Sequence, residues 1–120
     1  MSFHPYGRKP EKVLDRFVAV RDRMHSKPAF AGKPIWVTEM GFNSSWTGKA
    51  GYVSTESLKA RYLPITMRRL RAAGARGPIF WYTLHQNSAT SAGYGLTLKN
   101  KETLTTRRLP AFYTFRAFTK

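Results

Sequence analysis

Three short clusters carry the side chains of this sequence that could take part in chemistry. They are His4 with Tyr6, Glu39 with Asn43 and Trp46, and Trp81 with His85 and Gln86. Each lies at the end of a run of apolar, aromatic or β-branched residues, which is typical of a strand. An ionised carboxylate is costly to bury without a partner, so Glu39 is a candidate site residue. The alternative is a strand that simply ends in a polar residue.

The segments around these clusters alternate between strand and helix patterns. Strands are predicted at 2–7, 35–38 and 78–84. Between them, apolar residues recur at helical spacing in two segments, and a third helix follows at the end of the chain. The third strand is apolar throughout, as in a parallel sheet that is covered on both faces. The carboxyl ends of parallel strands meet at one edge, so we expect the three clusters to converge there.

The helix boundaries follow from capping residues and prolines. Pro10 and Pro110 can each open a helix at its first position, and Ser54 or Thr55 can cap the middle helix. Pro64 lies inside that middle helix and should kink it or delay its start. The segment 97–108 is basic and is predicted to be irregular.

The clusters together offer one carboxylate, neutral hydrogen-bonding groups and flat aromatic faces. This combination suits a sugar ring, which has apolar faces and hydroxyl edges. It does not suit a metal, because His4, His25 and His85 show no ligand spacing. Gly93-Tyr94-Gly95 predicts a loop and not a phosphate-binding motif. We therefore predict neither a metal nor an organic cofactor.

The chain is strongly basic. Its 120 residues include 21 Lys and Arg against 6 Asp and Glu, giving a net charge of +15. Such a charge favours nucleic acid, anionic glycans or acidic surfaces as partners. The absence of cysteine excludes disulfides and thiolate chemistry without fixing the compartment. No apolar run is long enough to span a bilayer, and the first residues do not have a signal-peptide pattern.

Three motifs resemble a known family. His4-Pro5-Tyr6-Gly7, Trp36-Val37-Thr38-Glu39-Met40-Gly41 and Phe80-Trp81-Tyr82 resemble, in order and spacing, the last three strands of clan A glycoside hydrolases. These are cellulase-like or xylosidase-like (β/α)₈ barrels. The tail around Pro110 also resembles that family's closing segment. The resemblance implies an α/β fold in which residues 1–120 form a single partial domain. That domain would be the C-terminal portion of a TIM barrel, about strands six to eight, with parallel strands alternating with helices.

The resemblance also implies roles for the candidate residues. Glu39 matches the nucleophile of a retaining hydrolase acting on a β-linked glycan. His4 and Tyr6 match the pair that holds the nucleophile and the sugar, and Trp81 matches the aromatic platform beneath the sugar. The family places its acid/base Glu after an Asn, and no Asn-Glu pair occurs in this chain. Such barrels also need about 250 residues. We therefore expect a fragment that is inactive alone, whose partners are a β-linked oligo- or polysaccharide, the missing N-terminal half, or another copy.

Two interpretations from other classes remain open. One is a basic, non-catalytic binding module for nucleic acid or an anionic polymer, which would explain the charge directly. The other is an inactive remnant that associates with itself, because a three-stranded sheet leaves two edges open. Of the two strand tryptophans, Trp36 is predicted to be a core residue facing the helices, and Trp81 a site residue.

The charge makes a prediction about nucleic acid. Binding should be independent of sequence and should weaken by about 10³-fold or more between roughly 50 and 200 mM salt, because it would rest on phosphate neutralisation. Fluorescence anisotropy with DNA duplexes of unrelated sequence measures both properties. Sequence-selective binding that survives physiological salt would favour the binding-module interpretation.

Overall fold

The computed structural model describes residues 1–44, 55–87, 93–100 and 102–119. Within them lie two three-stranded sheets and three α-helices. The first sheet contains β1 (Ser2–Phe3), β2 (Ile35–Met40) and β3 (Ala75–Trp81). The helices that connect them are α1 (Pro10–His25) and α2 (Glu56–Ala72), and a 3₁₀ turn follows α1 at Pro28–Phe30. The second sheet contains β4 (His85–Asn87), β5 (Thr97–Lys99) and β6 (Thr106–Arg108), followed by α3 (Pro110–Phe118).

The first sheet is parallel and has the order β1-β2-β3. Parallel neighbours need a crossover connection, and α1 and α2 supply the two crossovers. Such crossovers are almost always right-handed, so two that run in the same direction place both helices on one face. The helices pack against each other, and α3 packs against α2. The main core therefore lies between this helical layer and one face of the sheet.

The core is apolar and closely packed. Its helical side includes Phe17 and Leu63, and its sheet side includes Ile35 and Val37, all of which are buried. The opposite face of the sheet is open: Trp36 is 45% exposed, and Phe80 and Tyr82 are similarly exposed. Both the expected cover on two faces and the predicted core position of Trp36 are therefore wrong. The Trp36 indole lies against Gly77, where an added Cβ would be 2.9 Å from the ring.

The helix ends agree with the capping signals. Pro10 and Pro110 open their helices, and the Thr55 side chain accepts a hydrogen bond from the Leu58 backbone N–H at 3.1 Å. Ser54, the other candidate cap, lies outside the described residues. Pro64 sits inside α2 without delaying its start.

The pairing of β2 with β3 shifts in register twice, between Ile35 and Val37 and again where β2 ends. Val37 is opposite Ile79, and Met40 is opposite Trp81, so three steps along β2 match two along β3. Val37 and Met40 are both fully buried, while Glu39 between them is partly exposed. An extra residue of this kind re-aims a side chain, and such irregularities are common beside functional sites.

The prediction of a C-terminal TIM-barrel portion is wrong. After β3 the described chain does not continue with parallel strands alternating with helices. It forms instead a second sheet in which β4 and β5 are parallel and β5 and β6 are antiparallel. The segment predicted to be irregular supplies β5 and β6. The chain is therefore a small α/β structure with one parallel and one mixed sheet. In the described residues, no helix is both long enough and apolar enough to cross a membrane.

The buried position of Phe17 leads to a stability prediction. Phe17→Ala should lower the free energy of unfolding by about 3–5 kcal/mol, because it leaves a cavity between α1 and the sheet. Urea denaturation followed by circular dichroism measures this loss. Phe30→Ala is the matched control, since Phe30 is 52% exposed and should change the stability by less than about 0.5 kcal/mol. Equal effects of the two substitutions would contradict the described core.

Candidate functional site

The Glu39 carboxylate lies near the C-terminal end of β2, beside the residues that follow β1. The Tyr6 hydroxyl donates a hydrogen bond to Glu39 Oε1. His4 Nδ1 lies 3.9 Å from Glu39 Oε2, and His4 Nε2 lies 3.2 Å from Thr38 Oγ1. Parallel pairing of β1 with β2 brings these segments together although they are more than thirty positions apart. The expected convergence of His4, Tyr6 and Glu39 is therefore observed.

Tyr6 is held in place by its backbone as well as by Glu39. Its N–H donates to the His4 carbonyl at 3.0 Å, and Arg16 of α1 donates to the Tyr6 carbonyl. Burial raises the pKa of Tyr6 well above its usual range, and the hydrogen bond to Glu39 and the charge of that carboxylate raise it further. The Tyr6 hydroxyl is thus a protonated donor to Glu39 at neutral pH.

Two further tyrosines complete the cluster. The Tyr94 ring lies 5.7 Å from Tyr6 at 74° and 5.7 Å from Tyr82 at 65°, both edge-to-face arrangements. Gly41 makes room for them, because a Cβ there would lie 3.1 Å from the Tyr94 ring and would overlap the Tyr82 carbonyl oxygen. Gly41, two residues after Glu39, therefore allows the aromatic residues to approach β2 closely.

Trp81 joins the cluster through Tyr94. Its indole N–H donates to the Tyr94 carbonyl at 3.0 Å, and its ring lies 6.1 Å from Phe42 at a tilt of 54°. One part of Trp81 is thus packed against the core, while the residue as a whole is only partly buried. The structure places Trp81 beside the cluster, and its role as a sugar platform stays a prediction.

The other polar residues at this edge have structural partners. His85 Nδ1 lies 2.6 Å from Thr97 Oγ1, and the Gln86 side chain accepts from the Gly95 N–H at 2.9 Å. Asn43 accepts from the Gly93 N–H at 2.9 Å. These contacts fasten β4 and the segment 93–95 to the rest of the chain. Trp46, which the sequence placed with Glu39, lies outside the described residues.

All six Asp and Glu side chains of the sequence lie among the described residues, and the five other than Glu39 lie elsewhere. Four of them form ion pairs with basic side chains: Glu11 with Arg69, Asp15 with Lys12, Asp22 with Arg21, and Glu56 with Lys59. Glu102 lies in the turn between β5 and β6. No group of three His, Cys, Asp or Glu in the described part of the chain could hold a metal ion. The cluster therefore offers one carboxylate and several hydroxyl and aromatic groups.

Sequence reasoning missed three members of this cluster, namely Thr38, Tyr82 and Tyr94. Thr38 and Tyr82 belong to the quoted strand motifs, but a strand pattern does not say which side chains meet across strands. The sequence predicts Tyr94 only as part of a loop. Its position between two glycines was the available signal, because glycines allow close backbone approach to neighbouring segments.

None of the family models, curated proteins or solved structures compared with this chain matches it. The resemblance to clan A glycoside hydrolases therefore rests on the quoted motifs alone.

The Tyr6–Glu39 contact predicts a measurable titration. Removing the Glu39 charge by Glu39→Gln should lower the Tyr6 pKa, because the carboxylate is among the causes that raise it. Burial alone should still keep it above the usual value of about 10. Absorbance at 295 nm during an alkaline titration follows tyrosinate formation.

The Tyr6 contribution is isolated by difference. The first difference is the titration curve of the wild type minus that of Tyr6→Phe. The second difference is the curve of Glu39→Gln minus that of the double variant Glu39→Gln/Tyr6→Phe. The second difference should appear at lower pH than the first. Identical midpoints would show that Tyr6 does not sense the Glu39 charge.

Proposed function

We propose that the Glu39 cluster is a carbohydrate site in which Glu39 is the nucleophile of retaining β-glycoside chemistry. The observation that carries this proposal is the combination of hydrogen bonding and exposure at the Glu39 carboxylate. One of its oxygens accepts a hydrogen bond from Tyr6, and its side chain remains 33% exposed at the edge of the sheet. The ligand class is a β-linked oligo- or polysaccharide, in keeping with the resemblance in the strand motifs.

The two carboxylate oxygens have different surroundings. Glu39 Oε1 accepts a hydrogen bond from the Tyr6 hydroxyl. Glu39 Oε2 lies 3.9 Å from His4 Nδ1, which is beyond hydrogen-bonding distance. Oε2 is therefore the oxygen that can approach an anomeric carbon. Its lone pair forms the new C–O bond while the leaving oxygen departs with the electrons of the glycosidic bond. Water then hydrolyses the glycosyl ester and regenerates the carboxylate.

Among the described residues, no second carboxylate stands beside Glu39 to give the leaving oxygen a proton. A retaining enzyme carries a second carboxylate about 5 Å from the first. Four of the other five carboxylates are held in ion pairs, and Glu102 lies in a separate turn. The absence of such assistance typically slows the reaction by about 10²- to 10⁴-fold. The chain should therefore react with substrates whose leaving group needs no proton and should leave ordinary glycosides uncleaved.

Aromatic side chains supply the apolar contact that a sugar ring needs. Tyr82 is 45% exposed on the open face, and Trp81 lies next to it at the end of β3. His4, which is exposed, adds a hydrogen-bonding group for a hydroxyl. A partly apolar surface with a few convergent polar groups is what small-molecule sites commonly present.

A covalent trapping experiment tests the nucleophile. A 2,4-dinitrophenyl 2-deoxy-2-fluoro-β-glycoside has a leaving group that departs without protonation and forms a long-lived glycosyl ester. The chain, incubated with gluco- and xylo-configured versions, should gain the mass of one fluoroglycosyl group, and peptide mapping should place it on Glu39.

Matched variants distinguish attack by Glu39 from general carboxylate reactivity. Glu39→Gln should take no label, while Glu11→Gln, which alters an exposed acid on α1, should be labelled like the wild type. A label on another residue, or none on the wild type with either sugar, would refute the nucleophile assignment. Unactivated alkyl β-glycosides should remain intact in every case.

Affinity measurements distinguish the proposed nucleophile, Glu39, from the proposed aromatic contact, Trp81. Glu39→Gln should leave the affinity for a β-linked oligosaccharide nearly unchanged, because the amide keeps the shape of the side chain. Trp81→Ala should weaken the affinity, because it removes an aromatic face. Titration followed by ¹H–¹⁵N NMR measures both constants, and an unchanged affinity in Trp81→Ala would remove Trp81 from the site.

A further inference from the structure

We infer that Lys59 is a positioning residue that fixes Tyr94 within the carbohydrate site, an inference that rests on the proposed function. Lys59 lies in the second turn of α2, and its side chain has 0% exposure. Its ammonium donates to the Gly93 carbonyl at 2.8 Å and to the Gly95 carbonyl at 2.7 Å. These two carbonyls belong to the residues on either side of Tyr94.

Holding both neighbours of Tyr94 fixes two contacts of the site at once. The Tyr94 ring packs between Tyr6, which binds Glu39, and Tyr82 on the open face. The Tyr94 carbonyl accepts the indole N–H of Trp81 at 3.0 Å. A shift of the segment 93–95 would therefore move the aromatic neighbours of the nucleophile and the hydrogen bond of Trp81 together.

An ion pair keeps the ammonium in place. Lys59 Nζ lies 2.9 Å and 3.0 Å from the two carboxylate oxygens of Glu56, one turn earlier on α2. Ser44, which follows β2, donates to Glu56 Oε1, and its hydroxyl and its backbone N–H also lie within hydrogen-bonding distance of the Gly93 carbonyl. One buried charge thus joins α2, the chain after β2 and the segment carrying Tyr94.

The energetics favour positioning over simple stabilisation. Burying an ion pair costs desolvation energy, and apolar side chains of similar volume are often as stable or more so. Burial lowers the pKa of Lys59, and the Glu56 carboxylate opposes that shift. A buried ammonium is directional, however, and three donors can fix several acceptors at once. Gly95 fits this tight arrangement because a Cβ there would lie 2.8 Å from the Thr97 carbonyl oxygen.

The test replaces the buried pair without leaving an unpaired charge. Lys59→Met combined with Glu56→Gln removes both charges, and Arg61→Met is the matched control because Arg61 is exposed on the same helix. A second control, Val13→Ala, weakens the core on α1 at a fully buried position. The readouts are the Trp81 indole N–H resonance, the labelling rate of Glu39 and the urea midpoint.

The double variant should shift the Trp81 indole resonance and slow Glu39 labelling at least tenfold while its far-ultraviolet circular dichroism stays native. Val13→Ala should lower the urea midpoint and leave the resonance and the labelling rate unchanged, which separates positioning from stability. An unchanged resonance and labelling rate in the double variant would overturn the Lys59 inference and leave the proposed function standing. A wild type that takes no label would refute the proposed function, and the site role of Lys59 would fall with it.

The wild type provides a measurement that does not depend on how the variants fold. Nuclear Overhauser effects between the Lys59 ε-methylene protons and the Tyr94 amide proton are expected, because the ammonium binds the carbonyls on both sides of that residue. Their absence would overturn the inference by itself.

Discussion

The parallel pairing of β1 and β3 with β2 is the constraint on which the rest of this structure depends. Parallel pairing requires a crossover for each strand, and right-handed crossovers in one direction place α1 and α2 on the same face. It also brings the residues after β1 next to Glu39, since parallel strands end at a common edge. The core, the open aromatic face and the carboxylate cluster are thus three results of one topology.

The candidate site departs from regular structure in ways that simple stability does not require. The register of β2 shifts between Val37 and Met40, Lys59 is fully buried, and Tyr82 stays exposed. Each departure has a local cost, whether as a broken strand ladder, a desolvated charge or an apolar ring in water. Sequences tend to violate the ordinary rules where a functional arrangement needs it. Here the register shift lies beside Glu39, and Lys59 is connected to the Glu39 cluster through the residues on either side of Tyr94.

Local signals predicted the helices and β2, and the contacts between segments decided the rest. Thr55, Pro10 and Pro110 mark helix starts by chemistry that acts within a few residues, so those boundaries followed from the sequence. The strands β4 to β6 have three residues each and, apart from Leu98, carry polar or basic side chains, so they show no period. The barrel prediction failed after β3, because the segment 97–108, predicted to be irregular, supplies two strands of a second sheet. Lys59 resembled any solvated helix lysine, because only tertiary contacts reveal its burial.

The shortness of β1 affects how much of the time the contact between Tyr6 and Glu39 is formed. Within β1 only Ser2 and Phe3 pair with β2, and His4 and Tyr6 follow this short edge strand directly. Short edge strands are among the first parts of a protein to open, well before the whole molecule unfolds. We expect the occupancy of the Tyr6–Glu39 contact to follow such a local opening equilibrium. Any ligand that touches His4 and Glu39 together binds only the closed edge, so it would protect the β1 amides from hydrogen exchange in proportion to its concentration.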